Sequence, residues 1–276
     1  MMNCAIEELR TPPGLAAPFD GACRYLISLD FDGTLLCEET RCIPSAFFVM
    51  MQHWRAHGVR WGINTGRSLP YLMQDLRPCA PFLPDFICTC ERYIYMADAA
   101  GRLVPDTAHN AECAAINAAV RARFAPVLQQ MMLQLARQHP EWQWEYAADD
   151  PLSIEAVDAA TMDAMAPDMN RLAAVDGGVA MQRAGRYLRF ADARFNKGTT
   201  LLHVAQRWSV PVSHVAIMGD GHNDLHAFQA LPAAFCAAPA TAHPEVCAWL
   251  RSHGGYVSPE TGVLQALHAW AERHFL

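Results

Sequence analysis

Charged residues are scarce in this chain, and positive charge is the scarcer sign. Asp, Glu, Lys and Arg make up 18% of the 276 residues, against 52% hydrophobic, and the net charge is −7. That balance suits a compact globular protein of one or two domains and argues against a broad nucleic-acid-binding face. It does not exclude an anionic ligand, because a local cluster of cations can hold one. No stretch approaches the roughly 20 consecutive apolar residues that a bilayer span requires. The opening segment, Met1 to Gly21, carries Glu7 and Glu8 and lacks the apolar core of a signal peptide. The ten cysteines are scattered and form no C-x-x-C pair of the kind that points to zinc. Reduced thiols and a cytoplasmic location are expected. The G-x-x-x-x-G-K phosphate loop is missing, and so are internal repeats and low-complexity tracts beyond alanine richness.

What is present is organised around Tyr25-Leu26-Ile27-Ser28-Leu29-Asp30-Phe31-Asp32-Gly33-Thr34-Leu35. An apolar run ends in two aspartates, two residues apart, followed at once by a glycine. The run reads as a buried parallel strand, with its carboxylates at the carboxyl end, where open α/β sheets bind their ligands. A helix from Pro44 to Ala56 follows, with Phe47, Phe48, Met51 and Trp54 on one stripe and Gly58 at its end. A second strand over 61–64 runs into Thr65-Gly66-Arg67, Ser68 is placed to cap the next helix, and 86–89 is a third strand. This alternation predicts a parallel sheet with helical crossovers.

The rhythm then changes. Residues 93–96 and 102–104 flank Asp98-Ala99-Ala100-Gly101 as a hairpin, and a long helix is predicted over 112–137. Strands over 142–146 and 152–157 around Asp149-Asp150-Pro151, a helix within 161–174, and a second hairpin over 179–190 complete an α+β unit of about 100 residues. The parallel rhythm resumes at Lys197, with a helix to Trp208, a strand over 215–218 ending in Gly219-Asp220-Gly221, a short strand over 233–236, and closing helices over 243–252 and 261–273. The domain reading is an irregular arm at 1–22, a core of 23–90 and 191–276, and an inserted unit of 91–190.

Each chemical motif has an ordinary structural reading beside the functional one. Asp30 and Asp32 suit a strand-end turn. They also suit a nucleophile, since a carboxylate can attack phosphorus, paired with a general acid/base that serves the leaving oxygen and then water. Gly219-Asp220-Gly221-His222-Asn223-Asp224 suits a capped loop, or the oxygen-rich shell of Mg²⁺, with Asp30, Asp220 and the Asp32 carbonyl as ligands and Asp224 as ligand or loop organiser. Without a cation these carboxylates would repel a phosphate. Thr65, with Gly66 and its neighbouring N–H groups, can hold a phosphoryl oxygen, and Arg67 faces solvent, a partner or the substrate. Lys197 at a helix start opposes the macrodipole unless acidic groups surround it. Asn223 reads as a loop organiser.

Taken together, Asp30-Phe31-Asp32-Gly33-Thr34, Thr65 in Asn64-Thr65-Gly66-Arg67, Lys197, and Gly219 to Asp224 occur in the order found in the haloacid dehalogenase-like superfamily. The chain resembles its Cof-type phosphatase branch over most of 25–270. The resemblance implies a Rossmann-like parallel-sheet core with an inserted α+β cap. It also implies Asp30 as nucleophile, Asp32 as acid/base, Thr65 and Lys197 as phosphate contacts, and Asp220 and Asp224 at the Mg²⁺ site. Two departures stand out. Thr89-Cys90-Glu91-Arg92 replaces the Ser-Asn-Gly-Ala common in such phosphatases, and Pro239-Ala240-Thr241-Ala242 replaces a common Asn-Ala pair.

The expected partner is a small phosphorylated metabolite, with no nucleic acid and no membrane, bound by a monomer or homodimer. Glu91, Arg92, Asp168, Asn170 and Arg171 are candidate selectors on the cap side. Trp142 and Trp144 read as cap packing, with a sugar platform as the rarer role, and His222 as a residue that tunes access. Three functions stay open: a Mg²⁺-dependent phosphatase, a phosphomutase acting on sugar phosphates, and a metal- or ligand-binding protein without turnover.

Overall fold

The computed structural model describes residues 22–37, 39–147, 150–259 and 262–275. The expected N-terminal arm thus lies, but for Ala22, outside the described residues, as do Asp149 of the expected 149–151 turn and Thr261 at the expected start of the last helix.

Five strands read from apolar runs lie side by side. They are β1 (Tyr25–Leu29), β2 (Val59–Asn64), β3 (Phe86–Thr89), β10 (Val215–Met218) and β11 (Phe235–Ala238). The chain adds β2 and β3 on one side of β1 and β10 and β11 on the other, all parallel. The direction of growth therefore reverses between β1 and β10, which opens a crevice at their carboxyl ends. A two-residue strand, β12 (Tyr256–Val257), extends the sheet beyond β11 and was not expected from the sequence. It is too short to carry a period.

Side chains alternate across β1. Ile27 and Leu29 pack on one face with α1 (Ser45–Arg55), α2 (Leu69–Cys79) and α8 (Leu264–Ala271), through Phe47, Trp54, Leu72 and Trp270. Leu26 faces the opposite way, onto α5 (Lys197–Arg207), α6 (Leu225–Ala230) and α7 (Pro244–Ser252), through Leu201, Phe228 and Leu250. Both faces are covered, as a parallel sheet requires. Ser68 precedes α2, but its side chain makes no capping hydrogen bond. Pro70 in the first helical turn removes a donor that a cap would serve.

The first hairpin, β4 (Tyr93–Ala97) and β5 (Leu103–Pro105), forms as expected but not in the expected sheet. β4 pairs antiparallel with β3, so the hairpin extends the core sheet to eight strands. The separate sheet of the inserted cap begins at β6 (Trp144–Ala147) and continues with β7 (Asp150–Ala156), β8 (Val179–Ala184) and β9 (Tyr187–Asp192), in the antiparallel order β6-β7-β9-β8. Two helices cover one face, α3 (Thr107–Gln138) and α4 (Ala159–Asp176). Asp106 and Asp158 cap their N-termini by accepting from the amides of His109 and Thr161. Val120, Phe124, Leu128, Met132 and Leu135 recur at helical spacing along α3 and meet Ile154, Leu188, Phe190 and the α4 methionines in a second apolar core. Trp142 lies before β6 and stacks on His139 at 3.8 Å, so it does not share a strand face with Trp144. Both indoles pack against the cap core.

The architecture is a mostly parallel sheet flanked by helices with an inserted cap, as the alternation predicted. One close helix contact seats a site residue. A Cβ placed on Gly198 would stand 2.3 Å from the His226 carbonyl oxygen and 2.6 Å from Cβ of Ala230, so α5 and α6 touch backbone to backbone beside Lys197. Gly198→Ala should therefore cost about 1–3 kcal/mol of stability by overpacking. Urea unfolding reads this directly, and an unchanged midpoint would show that the two helices can separate freely.

Candidate active site

Each site residue stands at or near the end of a regular element. β1 ends before Asp30, whose amide still donates to the Met218 carbonyl at 2.8 Å, so the Asp30 backbone is held by β10. β10 ends before Gly219-Asp220. Gly33, at φ +69°, turns the chain back, and a Cβ there would meet Asp220 Oδ2 at 2.5 Å. The space that only glycine leaves is filled by that carboxylate. Thr34 then donates its hydroxyl to Asp220 Oδ1 at 2.9 Å. Thr34 was quoted in the motif without a role; its place directly after Gly33 was the available signal.

Lys197 enters from α5, the helix capped by Asn196, whose side chain accepts from the amides of Gly198 and Thr199. The ammonium is 1% exposed and donates to Asp30 Oδ1 and to Asp224 Oδ1, both at 2.7 Å. Its backbone carbonyl accepts from Asn64 Nδ2 at 2.8 Å, which ties α5 to the end of β2. Asp224 closes the turn His222–Asp224 by accepting from the Gly221 amide at 3.0 Å. One ligand oxygen from each of Asp30, Asp220 and Asp224 lies within 4.8 Å of the other two. Three carboxylates thus converge with one buried cation.

The electrostatics follow. Burial raises the Asp30 carboxyl above its usual range; Lys197 opposes the shift and Asp224 adds to it. Burial, reinforced by the Asp30 charge, pushes Asp220 up to about 7. Burial alone would lower the Lys197 ammonium, but Asp224 and Asp30 outweigh it and hold the charge firmly.

Asp32 is placed differently. Its carboxylate is gripped by Arg67, Nε to Oδ2 at 2.7 Å and Nη2 to Oδ1 at 2.6 Å. Its side chain therefore does not join the three-carboxylate cluster. Arg67 also donates to Asp75 at 2.6 Å, and Asp75 receives Arg41 at 2.6 Å. Of the roles open to Arg67, the structure shows a carboxylate partner. Thr65 is buried and its hydroxyl accepts from the Arg67 amide at 3.1 Å. Gly66 lies beside it, with its carbonyl 3.4 Å from Arg189 Nη1 of β9. Arg189 is buried among Ser153, Tyr187 and Asp150 and is the cap's reach into this loop. The sequence placed Arg189 only within the 179–190 hairpin.

Asn223 donates to Glu91 Oε1 at 2.8 Å. Cys90 and Glu91 have φ of 50° and 62°, two left-handed residues in succession without a glycine. Glu91 is buried, and its Oε2 has no hydrogen-bond partner. Arg92 is also buried and donates to Asn117 at 3.0 Å. Asp168 and Arg171 pair with each other along α4, and Asn170 is exposed there. Those three have no contact with the carboxylate cluster.

The sequence of residues 130–267 matches the family model of haloacid dehalogenase-like hydrolases. The chain belongs to that family. The match takes in Lys197, Asp220 and Asp224. Asp30 and Asp32 lie outside it, and for Asp30 the link is the geometry that brings it onto Lys197. No curated protein matches the chain significantly. Solved structures of similar fold include the sucrose-phosphatase of Synechocystis sp. PCC6803 with sucrose and phosphate, at 18% identity, TM-score 0.67, covering 93% of this chain and 100% of that one. BT1666 of Bacteroides thetaiotaomicron, described among phosphatases of the same superfamily, has 17% identity and TM-score 0.58, over 93% and 98% of the two chains. A haloacid dehalogenase-like hydrolase of Bacillus subtilis has 12% identity and TM-score 0.59, over 91% and 93%. At these identities the likeness is one of fold. No helix among the described residues is long and apolar enough to cross a membrane.

The raised carboxyls carry a pH signature. The folded Asp220 keeps a proton up to about 7, whereas an ordinary aspartate has lost it near 3.8. Between those values the folded state holds more protons than the unfolded chain, so stability falls as pH rises through that window. A divalent cation competes with those protons. Thermal unfolding at about pH 5 and about pH 8, with Mg²⁺ and with chelator, should show a larger Mg²⁺ stabilisation at the higher pH. Equal stabilisation at both would mean that the carboxylates do not share a cation.

Proposed function

We propose that this hydrolase is a Mg²⁺-dependent phosphatase that releases inorganic phosphate from a small phosphomonoester, with a sugar phosphate as the first class to test. The observation that carries the reading is the buried Lys197 ammonium, held between Asp30 and Asp224 beside Asp220. A site that only bound a ligand would not need a strand-end carboxylate so placed.

The donor set fits Mg²⁺. Three carboxylates supply hard oxygen ligands, and their proton affinity is raised first by burial and then by the negative charge of their neighbours, which one lysine does not balance. Asp30 and Asp220 would hold the ion, with Asp224 and the Asp32 carbonyl beside them. When bound, Mg²⁺ would offset the repulsion between these carboxylates and an incoming phosphate and stabilise charge on its oxygens.

The remaining chemistry belongs to the chain. Asp30 attacks phosphorus and forms an aspartyl phosphate as the ester oxygen departs. Asp32 gives that oxygen a proton, then takes one from the water that hydrolyses the acyl phosphate. Arg67 meets one lone pair on each Asp32 oxygen, so the proton is handled at the other, and release of one of the two bonds frees the carboxyl to turn toward the substrate. Lys197 neutralises charge on the nucleophile and the transferring group, and the Thr65 hydroxyl with the loop amides holds a phosphoryl oxygen. The cap lies over this site through Arg189 and through β8, which packs on the turn His222–Asp224. Closure excludes bulk water during the first step. The sugar class is suggested by fold likeness to a sucrose-phosphatase solved with sucrose and phosphate.

Phosphate release from a panel of sugar phosphates, nucleotides and small phosphoesters should require Mg²⁺ and stop with chelator. Asp30→Asn should lower it by on the order of 10³-fold or more while sparing the fold. Normal release by that variant would sink the nucleophile, and conversion of a sugar phosphate to its isomer without released phosphate would make the protein a mutase. Asp32→Asn should slow both half-reactions by about 10²–10⁴-fold in single-turnover measurements, and unchanged rates would reject its acid/base role.

A further inference from the structure

The loop after the Asp30–Asp32 turn is tied down at once. Leu35 and Leu36 donate their amides to the carbonyls of Asp30 and Phe31 at 3.2 and 2.8 Å, and the chain then doubles back. Cys37 and Cys42, with four residues between them, stand opposite each other in an antiparallel bridge at the base of this reversal. The Cys37 amide donates to the Cys42 carbonyl at 3.1 Å, and the Arg41 amide donates to the Cys37 carbonyl at 2.9 Å. Arg41 takes a left-handed backbone, φ 53°, to make the turn.

We propose that Cys37 and Cys42 are a thiol–disulfide modification site, oxidised by a small-molecule disulfide of the glutathione kind. Residues directly opposite in an antiparallel pair put their side chains on one face, with Cα atoms about 4.5–5.5 Å apart; a disulfide spans about 4.4–6.8 Å. Both thiols can be reached, since Cys42 is exposed and Cys37 half-buried. A second observation concerns reactivity. The Thr40 hydroxyl and amide, donating to the sulfur, hold the Cys37 thiol below its usual range, which favours the attacking thiolate. Other thiols are placed differently. Burial pushes Cys23, Cys88 and Cys236 up to about 12 and Cys113 up to about 11. Cys79, which lies beside the pair, donates its Sγ proton to the Arg41 carbonyl at 3.2 Å.

The exchange balances in two steps. The Cys37 thiolate attacks one sulfur of oxidised glutathione, forms a mixed disulfide and expels one glutathione thiolate. Cys42 then loses its proton, attacks Cys37 Sγ and expels the second. Two protein thiols are oxidised, one disulfide is reduced, and the two protons end on the two glutathione thiols. The closed disulfide would fix the base of the turn that holds Arg41 on Asp75, the second acceptor of Arg67. It uses neither Asp30 nor Lys197, so it stands or falls apart from the phosphatase reading.

The full chain should be equilibrated in glutathione buffers of rising oxidised fraction, quenched in acid, alkylated and digested with trypsin. Cleavage after Arg24, Arg41 and Arg55 puts Cys37 alone in peptide 25–41 and Cys42 alone in peptide 42–55, so mass spectrometry reads the bond as these two peptides joined. The joined species should form, revert with dithiothreitol and persist in Cys79→Ser. Because the fold aligns the pair, half-oxidation at fixed reduced glutathione should need at least about tenfold less oxidised glutathione than in denaturing urea. The proposal is overturned if the joined peptides are absent, if Cys42 is found joined to Cys79 instead, if the bond is lost in Cys79→Ser, or if half-oxidation is the same for the folded and unfolded chains.

Discussion

A buried ammonium between two buried carboxylates is the constraint on which the rest of this molecule depends. Lys197 is 1% exposed, and its two ion-pair partners come from the ends of different strands. An unpaired charge at that depth would cost several kcal/mol, so the pairing must form whenever the chain is folded. It forms only if β1 and β10 are neighbours, because Asp30 follows one and Asp224 lies six residues beyond the other. It also requires α5 to start within reach of both. The Asn196 capping box fixes that start, the Asn64 amide holds the Lys197 carbonyl, and the glycine after Lys197 lets α6 close against it. Strand order, helix cap and interhelix contact are thus three conditions for one charge balance. The balance is incomplete, since Asp220 adds a third carboxylate, and that deficit is what a cation would fill.

The loops that join core and cap carry strain in place of charge. Cys90 and Glu91 both occupy the left-handed region, which costs of order 1–3 kcal/mol for each such residue. The Asn-Gly common at this position in the resembled phosphatases takes that conformation readily. Here the shape is kept with dearer residues. Glu91 receives the Asn223 amide and its own N–H reaches the Thr65 carbonyl at 3.0 Å, while the Cys90 amide reaches the Arg67 carbonyl at 2.8 Å. Three catalytic-side loops are therefore stitched through one strained turn, and the carboxylate it buries has one oxygen without a partner. Retaining Glu91 gives the pocket edge an acceptor that Gly would not supply.

Much of this was legible because the decisive patterns are local. Apolar runs that end in Asp30 and in Asp220, with helical spacing between, dictate parallel strands whose acids share one end of the sheet. Lys197 stood out as a cation where a helix dipole disfavours one, and the structure gives the acidic neighbours that explain it. The misreadings concern partners that periodicity does not encode. The 93–105 hairpin has the same alternation whichever sheet it joins. Two residues of β12 hold no period. The grip of Arg67 on Asp32 links positions 35 residues apart, and nothing in the spacing of Thr65-Gly66-Arg67 foretells which carboxylate the guanidinium will meet.

That grip and the Lys197 pairing, in one site, differ in what it takes to break them. Asp32 is 41% exposed and Arg67 23%, against 12% and 1% for Asp30 and Lys197. An ion pair open to solvent contributes about 0–1 kcal/mol net, because water replaces what is lost. A buried one has no such substitute. Arg67 also keeps Asp75 when Asp32 departs, so its charge is never stranded. The partner of the proposed nucleophile is accordingly a fixed part of the fold, and that of the proposed acid/base a movable one. A residue that must hold a proton in one step and accept one in the next needs that freedom, whereas a residue that forms a bond to phosphorus needs a single position. The same distinction accounts for why one cation is a lysine sealed under a helix and the other an arginine at the crevice mouth, where a planar fork can hold a carboxylate with two bonds and release them one at a time.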